Sequence, residues 1–594
     1  MHWLDWTVLG LYFAAVLYFG VIVGGRRTKT LGDFLVAGGK WGPWVSFIFV
    51  FASAIAGNEA VVVARGGYEG GLSGVWYWWS FLFATPIYYA FATYYRRARV
   101  YNAAEFIAMR YGERLAGFYG LVAGTLCVLF IGMFLLAVGK ILAGMMPIFE
   151  EPAANVQFHV WLIAIVVGVY VCAGGMMSTL INDIFQGLMC LLILGFVGLP
   201  FLWKESGGLP ALRALPDETW SMTSPAMGLE TVIALNVAAL VGGIAAPWIY
   251  NWIAVSRDER AATQCGWGHL WKRVITLLFA LYGIQFLIYQ RNVLSVEAPE
   301  LAAALHADPE LGWGIVMQRI LPPMFIGLLL ASFFAAAMSS AGTYATTSSA
   351  MFVDFIYRRF VAKGRPASEY LKAARIWVGA SILFAALLTL WLSSISQYIK
   401  FAFNLLSFLG IPIYFAVLWR RSNRLGAWCS LLAGSLGYLA VSVATALTEN
   451  VSWLVAAERS FATTVFVSTA ASLVGMLVGT WLGKREDDTR VRRFHVVLNT
   501  PVGDEARLVR AGIKLPALVD AGLVQPGAES IDEAELRRLD AQDAQEKILG
   551  PDSALELRHE RKLPWYYRGM LRISLASIGL VVGTWLGTRL LFVW

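Results

Sequence analysis

The stretch ASFFAAAMSSAGTYATTSSAMFVDFIY, from Ala331 to Tyr357, combines the length of a membrane-spanning helix with an unusual number of hydroxyl side chains. A span of the hydrocarbon core takes about 20 predominantly apolar residues. Polar groups at bilayer depth need partners, so we expect these hydroxyls to find theirs inside the protein. The hydroxyl residues are Ser339, Ser340, Thr343, Thr346 and Thr347.

The composition of the whole chain is that of a polytopic helical membrane protein. Hydrophobic residues make up 58% of the 594 positions and charged residues 14%, and the mean hydropathy is +0.62. No soluble class of protein fits these values. About fourteen apolar segments of spanning length can be placed between charged or Pro/Gly-marked breaks. The cysteines lie singly, and no HExxH pair or GxxxxGK[ST] loop occurs, so an enzyme is not expected.

The distribution of Lys and Arg predicts which breaks between spans lie in the cytoplasm. Arg26, Arg27 and Lys29 follow the first apolar run, and further cationic breaks follow alternate runs. The net charge of +8 is therefore mostly the positive-inside signature and not a nucleic-acid surface. An even number of spans leaves both termini extracytoplasmic, in a multi-pass protein of the cell (plasma) membrane. The further breaks are Arg96 to Arg99, Arg257 to Arg273, Arg358 to Arg375, Arg420 to Arg424 and Lys484 to Arg493.

One long polar region, Lys484 to Lys562, interrupts the apolar pattern on the predicted cytoplasmic side. Within it, Ile531 to Leu549 has helix formers and Glu/Arg pairs near helical spacing, whereas prolines punctuate loops elsewhere. Two interpretations of this region remain open, a small helical appendage and a solvated linker. A final apolar run, Ile573 to Trp594, returns the chain across the bilayer.

A second apolar segment, Trp41 to Arg65, is interrupted at mid-membrane by Gly57, Asn58 and Glu59. Glycine followed by an amide and a carboxylate breaks both the hydropathy and the helix propensity of the segment. Discontinuous helices of this kind free main-chain carbonyls, which can replace the water around a small cation. Sodium needs about five or six hard oxygen ligands. Carbonyls of one broken helix and hydroxyls of another would therefore make a chemically suitable site.

Six short motifs stand in a fixed order along the chain: DFLVAGG (Asp33 to Gly39), GYEGGL (Gly67 to Leu72), AAEFIAMRYG (Ala103 to Gly112), NDIFQGL (Asn182 to Leu188), AAAMSSAGTYATTSSAMFVDFIYR (Ala335 to Arg358) and VLWRRSNRLGAWCSLLAG (Val417 to Gly434). In this order and at these spacings, the motifs resemble the sodium:solute symporter family, whose members carry sugars, amino acids, vitamins or organic anions. The resemblance extends from about Trp6 to Gly483 and does not cover the polar region.

The resemblance implies an all-α polytopic membrane protein with a LeuT-like fold, a five-helix inverted repeat with extra flanking helices and about 14 transmembrane helices. The first core helix would be Trp41 to Arg65 and the eighth Pro323 to Ala345. The domains would be an N-terminal extra helix and cytoplasmic loop (1–40), the inverted-repeat transport core (41–420), additional transmembrane helices (421–483), the cytoplasmic polar segment (484–562) and a final transmembrane helix (563–594).

Carried over residue by residue, the family's sodium site falls on similar residue types in this chain. Aligning GYEGGL implies carbonyl ligands at Ala52 and Ile55. Aligning MSSAG implies a third carbonyl at Ala336 and hydroxyl ligands at Ser339 and Ser340. The alternative for the two serines is a hydrogen bond to a carbonyl one turn earlier in their own helix.

A second sodium ion is implied by some family members, which use an Asp and further hydroxyls one turn below the first site. Asp183 and Thr343 occupy matching positions, whereas Gly342 replaces one of the hydroxyls. The alternative is that Asp183 simply terminates a helix near the cytoplasmic face. Both interpretations stay open, and with them the number of coupled sodium ions.

The implied substrate cavity departs from that of sugar-carrying relatives. Those relatives place a sugar-binding Glu on the second core helix, where this chain has Trp78. Their Asn and Tyr on the sixth core helix fall on Ile244 and Pro247, although an aromatic residue is kept at Trp248. These differences weaken the case for a hexose.

The membrane-buried carboxylate of Glu59 is costly unless it is paired. It is expected either to bind a cationic or amine-bearing solute, or to form an ion pair with Arg65 or Lys400. The tryptophans offer ring faces for a cation or a sugar. The implied cavity residues are Asn58, Glu59, Tyr77, Trp78, Trp248 and Asn404.

The function implied by the resemblance is secondary active transport, a sodium-coupled symport of a small organic solute by alternating access. Na+ would be the coupling ion. Two other classes remain open. In a proton-coupled solute carrier, Glu59 or Asp183 would titrate, and in a solute sensor the transporter-like core would bind a solute that the polar region reports.

Overall fold

A computed structural model describes residues 1–146, 148–391, 395–525, 527–545 and 564–593. These residues are almost entirely helical. They contain two isolated β-bridges, Trp41 with Ser256 and Ser224 with Met227, and no β-strand. The all-α prediction is confirmed.

Ten helices in the described residues are long and apolar enough to cross a membrane, and two bent pairs raise that number to as many as twelve. The continuous segment Ala153–Glu205 has 53 residues. At 1.5 Å per residue it would be about 80 Å long, more than twice the roughly 30 Å hydrocarbon core. It is interrupted at Gly175, where φ is 55°, so it holds two crossings. The ten helices, the two bent pairs and the second crossing within Ala153–Glu205 give thirteen candidate spans. Thr85–Ala98 is a further short one, so the described residues are consistent with the predicted fourteen.

The helices of the first half of the chain begin and end close to the predicted apolar runs. They are α1 (Trp3–Leu17), which wider turns continue to Arg27, α2 (Pro43–Ser53), α3 (Gly57–Gly70), α4 (Thr85–Ala98), α5 (Glu113–Met145) and α6 (Pro152–Met189), which continues to Glu205.

In the second half of the chain, the helices of the apolar pattern are followed by a helix of the polar region and then by one last long helix. They are α7 (Leu229–Gly242), α8 (Pro247–Ala254), α9 (Glu259–Tyr289), α10 (Phe325–Ser349), α11 (Ala367–Leu388), α12 (Ile395–Leu409), α13 (Arg424–Glu449), α14 (Phe461–Leu482), α15 (Asp488–Asn499) and α16 (Pro564–Thr588).

The predicted discontinuous helix is present. Helix α2 ends at Ser53, the chain leaves the helical path from Ala54 to Ala56, and α3 starts at Gly57 with a bend of 54°. A Cβ at Gly57 would lie 2.6 Å from Val138 and 3.7 Å from the Ala337 nitrogen, so only glycine lets the break approach α5 and α10 this closely. A second break of 52° separates the Leu229–Ala245 segment from α8, where Pro247 starts the new helix.

Helix α10, which carries the hydroxyl-rich motif, lies at the centre of the bundle. It packs against α1, α5 and α6, and nearly all of its residues are buried. Helices α3 and α9 cross closely beside it, because Gly67 lies against the backbone of Ala280 and Gly283 against that of Ala64. This crossing brings polar residues of α9 next to the helix break.

The polar region forms a small helical domain against the core, which favours the appendage over the solvated linker. Its apolar side chains, including Phe494, Leu498 and Leu518, join the main hydrophobic core. The predicted helix from Ile531 to Leu549 is observed as Glu533–Gln545, and residues 546–563 lie outside the described ranges.

Arginines at the C-terminal end of α4 anchor this appendage. The Arg99 guanidinium donates to the Thr500 carbonyl oxygen at 3.0 Å and pairs with Glu505 at 3.0 Å. Burial opposes ionisation of Glu505, but hydrogen bonds from the Gly503 N–H and from Arg99 outweigh burial and hold the pKa of Glu505 below its usual range. The polar region is therefore attached to the end of α4 by buried contacts.

Candidate functional site

The implied ligands of the first sodium ion lie on two facing segments. Ala52 and Ile55 flank the end of α2, and Ala336 and Ser340 lie on α10, all buried. The peptide that joins Ala336 to Ala337 lies beside the helix break, as its contact with Gly57 shows. The Ser340 hydroxyl donates to the Ser53 carbonyl oxygen at 3.3 Å and so ties α10 to the break.

The hydroxyls of α10 fall into two groups. Thr346 and Thr347 donate to the Thr343 carbonyl oxygen of their own helix at 2.9 and 2.7 Å. Ser340 instead donates across to α2, and the buried Ser339 hydroxyl makes no hydrogen bond within its own helix but lies next to the Asp183 carboxylate. Back-bonding within the helix therefore explains the two threonines but not the two serines.

Asp183 lies inside helix α6 and is fully buried. The alternative that it terminates a helix is wrong. One carboxylate oxygen accepts a hydrogen bond from Ser53, and the other has no partner in the described part of the chain. The Ser53 hydroxyl lies 3.5 Å from that of Thr343, so Asp183 and Thr343 meet around Ser53, directly beside the first group of ligands.

Thr179, which the sequence motifs did not indicate, places a hydroxyl beside Gly342, where α10 has no hydroxyl side chain. A Cβ at Gly342 would lie only 2.7 Å from the Thr179 hydroxyl oxygen. Thr179 is buried one turn before Asp183 on α6 and hydrogen-bonds to the Gly175 carbonyl oxygen at 3.1 Å. The facing helix thus places an oxygen where α10 lacks one.

A small cavity of about 50 Å³ lies next to the break, with Ser53, Ala54 and Ala56 in its wall. Trp78 and Trp248 line it, together with six further aromatic side chains. The other implied substrate residues lie elsewhere. Asn58 donates to the sulfur of Met133 at 3.6 Å, Asn404 donates to the Ala457 carbonyl oxygen at 3.5 Å, and Tyr77 packs beside Gly66.

The ion-pair partner of Glu59 is Lys272 on α9, and the Thr276 hydroxyl also donates to the carboxylate. Arg65, the partner proposed from the sequence, pairs instead with Glu69 at 2.8 Å and Glu310 at 3.2 Å. Since Glu59 is occupied by a protein cation, its expected role as a binding group for an amine is not supported.

Three basic residues of α9 line the cavity, namely His269, Lys272 and Arg273. The assignment of Arg257 to Arg273 to one cytoplasmic break is wrong at its far end, because Lys272 and Arg273 are buried within α9. The positive-inside rule counts cations without regard to their partners. A signal was present in the apolar run CGWGHLW that precedes Lys272, which places both cations inside a span.

Comparison with known proteins agrees with this geometry. The model of the sodium:solute symporter family matches residues 34–434, more than half of the chain. Sodium/glucose cotransporter 1 of Oryctolagus cuniculus is 22% identical over 480 residues, 73% of this chain and 70% of that protein. Sodium/proline symporter 2 of Staphylococcus saprophyticus is 23% identical, covering 73% and 85%, and the sodium/sialic acid symporter SiaT of Proteus mirabilis is 23% identical, covering 74% and 89%.

Among solved structures, the substrate-bound, outward-open state of a Na+-coupled sialic acid symporter aligns with 82% of this chain and 99% of that one. The TM-score is 0.62 at 18% identity, a likeness of fold. The LeuT-like architecture predicted from the motifs is thereby confirmed. The family match covers both helix breaks and the hydroxyl-rich motif of α10, and the chain belongs to the sodium:solute symporter family.

Proposed function

We propose that this protein is a sodium-coupled symporter of a small organic solute that works by alternating access. The observation that carries the proposal is the presence of unsatisfied oxygen atoms where the break between α2 and α3 faces α6 and α10. The Ser339 hydroxyl and one carboxylate oxygen of Asp183 are buried there close to each other, and neither has a well-formed hydrogen bond among the described residues. Such atoms are rare and costly in folded proteins, and small cations would satisfy them.

The first ion would be held by oxygen atoms from both facing segments, with the Ser340 bond to Ser53 already joining the segments. Main-chain carbonyls and hydroxyls are hard ligands that suit sodium. No catalytic group is required of any of these residues. The ligands would be the carbonyl oxygens of Ala52, Ile55 and Ala336 and the hydroxyl oxygens of Ser339 and Ser340.

A second ion would use the Asp183 carboxylate and the Thr343 hydroxyl, which meet around Ser53. Thr179 lies next to Gly342 and would supply the hydroxyl that this position lacks. A carboxylate gives this site a full negative charge in a region of low dielectric, where a cation is held more strongly than at the surface.

Sodium bound between the break and α10 would hold the two segments together and order the cavity wall that contains Ser53, Ala54 and Ala56. The cavity would then be complete only in the ion-bound state, which couples solute affinity to sodium. Each positive charge moved inward gains about 2.3 kcal/mol per 100 mV of membrane potential. Loss of sodium on the inside would release the solute.

The relatives support sodium coupling, because the names of those that transport glucose, proline and sialic acid all specify sodium. We place the transport core at 41–420, since both helix breaks and α10 lie in it. We also place the appendage in the cytoplasm, because it docks on the arginines after α4 that the positive-inside rule assigns to that side. This orientation leaves both termini outside.

Uptake into proteoliposomes tests the proposal. Labelled glucose, proline, sialic acid and propionate are offered under an inward sodium gradient, an equal potassium gradient, or a pH gradient without sodium. We expect uptake of a solute to follow the sodium gradient and to be lost in the Ser339→Ala/Ser340→Ala variant. Thr346→Ala/Thr347→Ala is the matched control, since these hydroxyls bond within their own helix. Uptake driven by the pH gradient alone would refute sodium coupling.

One observation favours proton coupling as the second candidate. Asp183 is fully buried, and in the described part of the chain no Lys, Arg or His lies within ion-pair distance of it. A carboxylate in that setting can take up a proton instead of a metal ion. In a proton-coupled carrier, Asp183→Asn would abolish uptake while Ser339→Ala/Ser340→Ala would leave it intact.

A further inference from the structure

The cavity wall carries more positive than negative charge. His269, Lys272 and Arg273 reach it from one face of α9, at spacings of three and four residues. The Glu59 carboxylate neutralises Lys272 through their ion pair. Within the described ranges, no carboxylate lies at ion-pair distance from Arg273. The Glu59, Lys272 and Arg273 side chains together therefore carry one net positive charge.

His269 does not add to this charge. One Nη of Arg273 lies 2.6 Å from Nε2 of the His269 ring. Because arginine can only donate hydrogen bonds, that ring nitrogen must be an unprotonated acceptor. The other ring nitrogen then holds the proton and can donate to the Thr85 hydroxyl, 3.3 Å away. The imidazole is thus assigned as neutral, and its role is to fix the position of the guanidinium.

The remaining donors of Arg273 have no partners in the part of the chain that the structure describes. The side chain is 1% exposed, and both Nε and Nη1 lack hydrogen-bond acceptors among the described residues. Together these nitrogens carry three N–H groups. The guanidinium carbon lies 5.7 Å from the centre of the Phe81 ring, a contact that can stabilise the charge but accepts no conventional hydrogen bond. A buried charge in this state is costly until an anion arrives.

The rest of the wall suits an apolar body. Eight aromatic side chains line the cavity, and the Trp78 ring also lies 5.7 Å from the Lys272 ammonium. Aromatic walls with a few polar groups hold a ligand's body through apolar contact and orient it through the polar groups, and a volume of about 50 Å³ suits only a small body. A planar guanidinium fork matches a carboxylate better than a single hydroxyl.

We infer that the transported solute is a small organic monocarboxylate with an apolar body, held by the free N–H groups of Arg273. The inference rests on the proposed function, since it takes this cavity as the transport site. The single negative charge of the solute equals the uncompensated charge of the wall. Glu59 acts here as the counter-ion that leaves Lys272 neutralised, so that Arg273 selects the solute.

The test compares matched compounds on the purified full-length protein. Propionate, butyrate and benzoate are paired with propionamide, butyramide and benzamide, and with the amines propylamine, butylamine and benzylamine. Thermal stability is measured in sodium and in potassium at constant chloride, because a ligand of the native state raises it by mass action. We expect at least one carboxylate to stabilise the protein while its amide and amine do not.

Arg273→Gln should weaken binding of that carboxylate about tenfold to a hundredfold, the range for loss of hydrogen bonds to a charged group. Arg273→Lys should recover part of this loss, because it restores the charge without the fork. Arg65→Gln is the matched control, since Arg65 pairs with Glu69 and Glu310. If Arg273→Gln does not fold, the comparison of carboxylates with their amides and amines on the wild-type protein decides whether the solute is a carboxylate.

An equal response to each carboxylate and its amide, including no response to either, would overturn the inference, and so would unchanged carboxylate binding in a folded Arg273→Gln. The failure of the proposed function looks different. There, sodium without solute would fail to stabilise the wild type, while carboxylate binding would still be measured in both salts.

Discussion

Replacing Glu59 with glutamine would leave the Lys272 ammonium buried without a counter-charge. Both side chains are at most 1% exposed. Breaking a buried ion pair from one side typically costs about 3–5 kcal/mol. An upper limit follows from the alternative of deprotonation, since an amine with the ordinary lysine pKa of about 10.4 loses its proton at pH 7 for about 4.6 kcal/mol. The expected loss of stability at pH 7 is therefore between about 3 and about 4.6 kcal/mol.

The loss should shrink at higher pH, because deprotonation becomes easier; at pH 9 the same arithmetic gives about 1.9 kcal/mol. The measurement is the free energy of unfolding in mixed micelles, followed by tryptophan fluorescence at both pH values. Glu69→Gln is the control, because Glu69 pairs with Arg65 and is 33% exposed, and we expect it to cost less than about 1 kcal/mol. Glu59→Gln/Lys272→Met should regain most of the stability. A loss in Glu59→Gln no larger than that in Glu69→Gln, with no recovery of stability in Glu59→Gln/Lys272→Met, would contradict a buried ion pair at this position.

Three further changes test other parts of the structure. Asp183→Asn keeps the shape of the side chain but removes its charge, and we expect sodium affinity measured with labelled sodium to fall about tenfold to a hundredfold; unchanged sodium affinity would exclude Asp183 as a ligand. Arg99→Ala removes the contacts with Thr500 and Glu505 and should speed tryptic cleavage of the appendage. Arg537→Ala is the control, because its partner Glu533 is exposed. Equal cleavage rates in the two variants would show that Arg99 does not anchor the appendage. The added methyl group of Gly283→Ala would overlap the Ala64 carbonyl oxygen and should lower the free energy of unfolding by about 1–3 kcal/mol. The methyl group of Gly168→Ala enters open space and should not lower it. An unchanged free energy of unfolding in Gly283→Ala would contradict the close crossing of α3 and α9.

The helix break and the hydroxyls of α10 could be predicted because their signals are local. Glycine, an amide and a carboxylate in an apolar run are visible within a few residues, and so is a group of serines and threonines at bilayer depth. Their division into two groups was not visible. Whether a hydroxyl bonds within its own helix or across to another depends on what lies opposite, as Ser340 and Thr347 show.

The pairing of Glu59 could not be predicted from the same signals. Glu59 and Thr276 are 217 positions apart, and only the glycine-lined crossing of α3 and α9 brings them together. Arg65, one and a half turns along the same helix, was the nearest cation in the sequence that could pair with Glu59, but it forms ion pairs with Glu69 and Glu310. The charge of the cavity wall could not be predicted either, because Lys272 and Arg273 follow other cations in the sequence and were assigned to the end of a cytoplasmic cluster of Lys and Arg.

The appendage shows a related limit. Its apolar residues, such as Phe494 and Leu498, are scattered among charges, so composition alone did not separate a folded domain from a solvated linker. Their partners are residues of α4 and of the next helix, Ala103–Tyr111, which the sequence marks only as a cationic break and as a short motif.

Sodium-dependent stability tests the central claim most directly. The thermal unfolding of the purified protein is measured in sodium, potassium and choline, for the wild type, Ser339→Ala/Ser340→Ala and Thr346→Ala/Thr347→Ala. At a sodium concentration of 100 times Kd, binding to the native state adds about 2.7 kcal/mol. We expect sodium alone to stabilise the wild type and the threonine variant but not the serine variant. Equal stability of the wild type in all three salts would contradict this expectation.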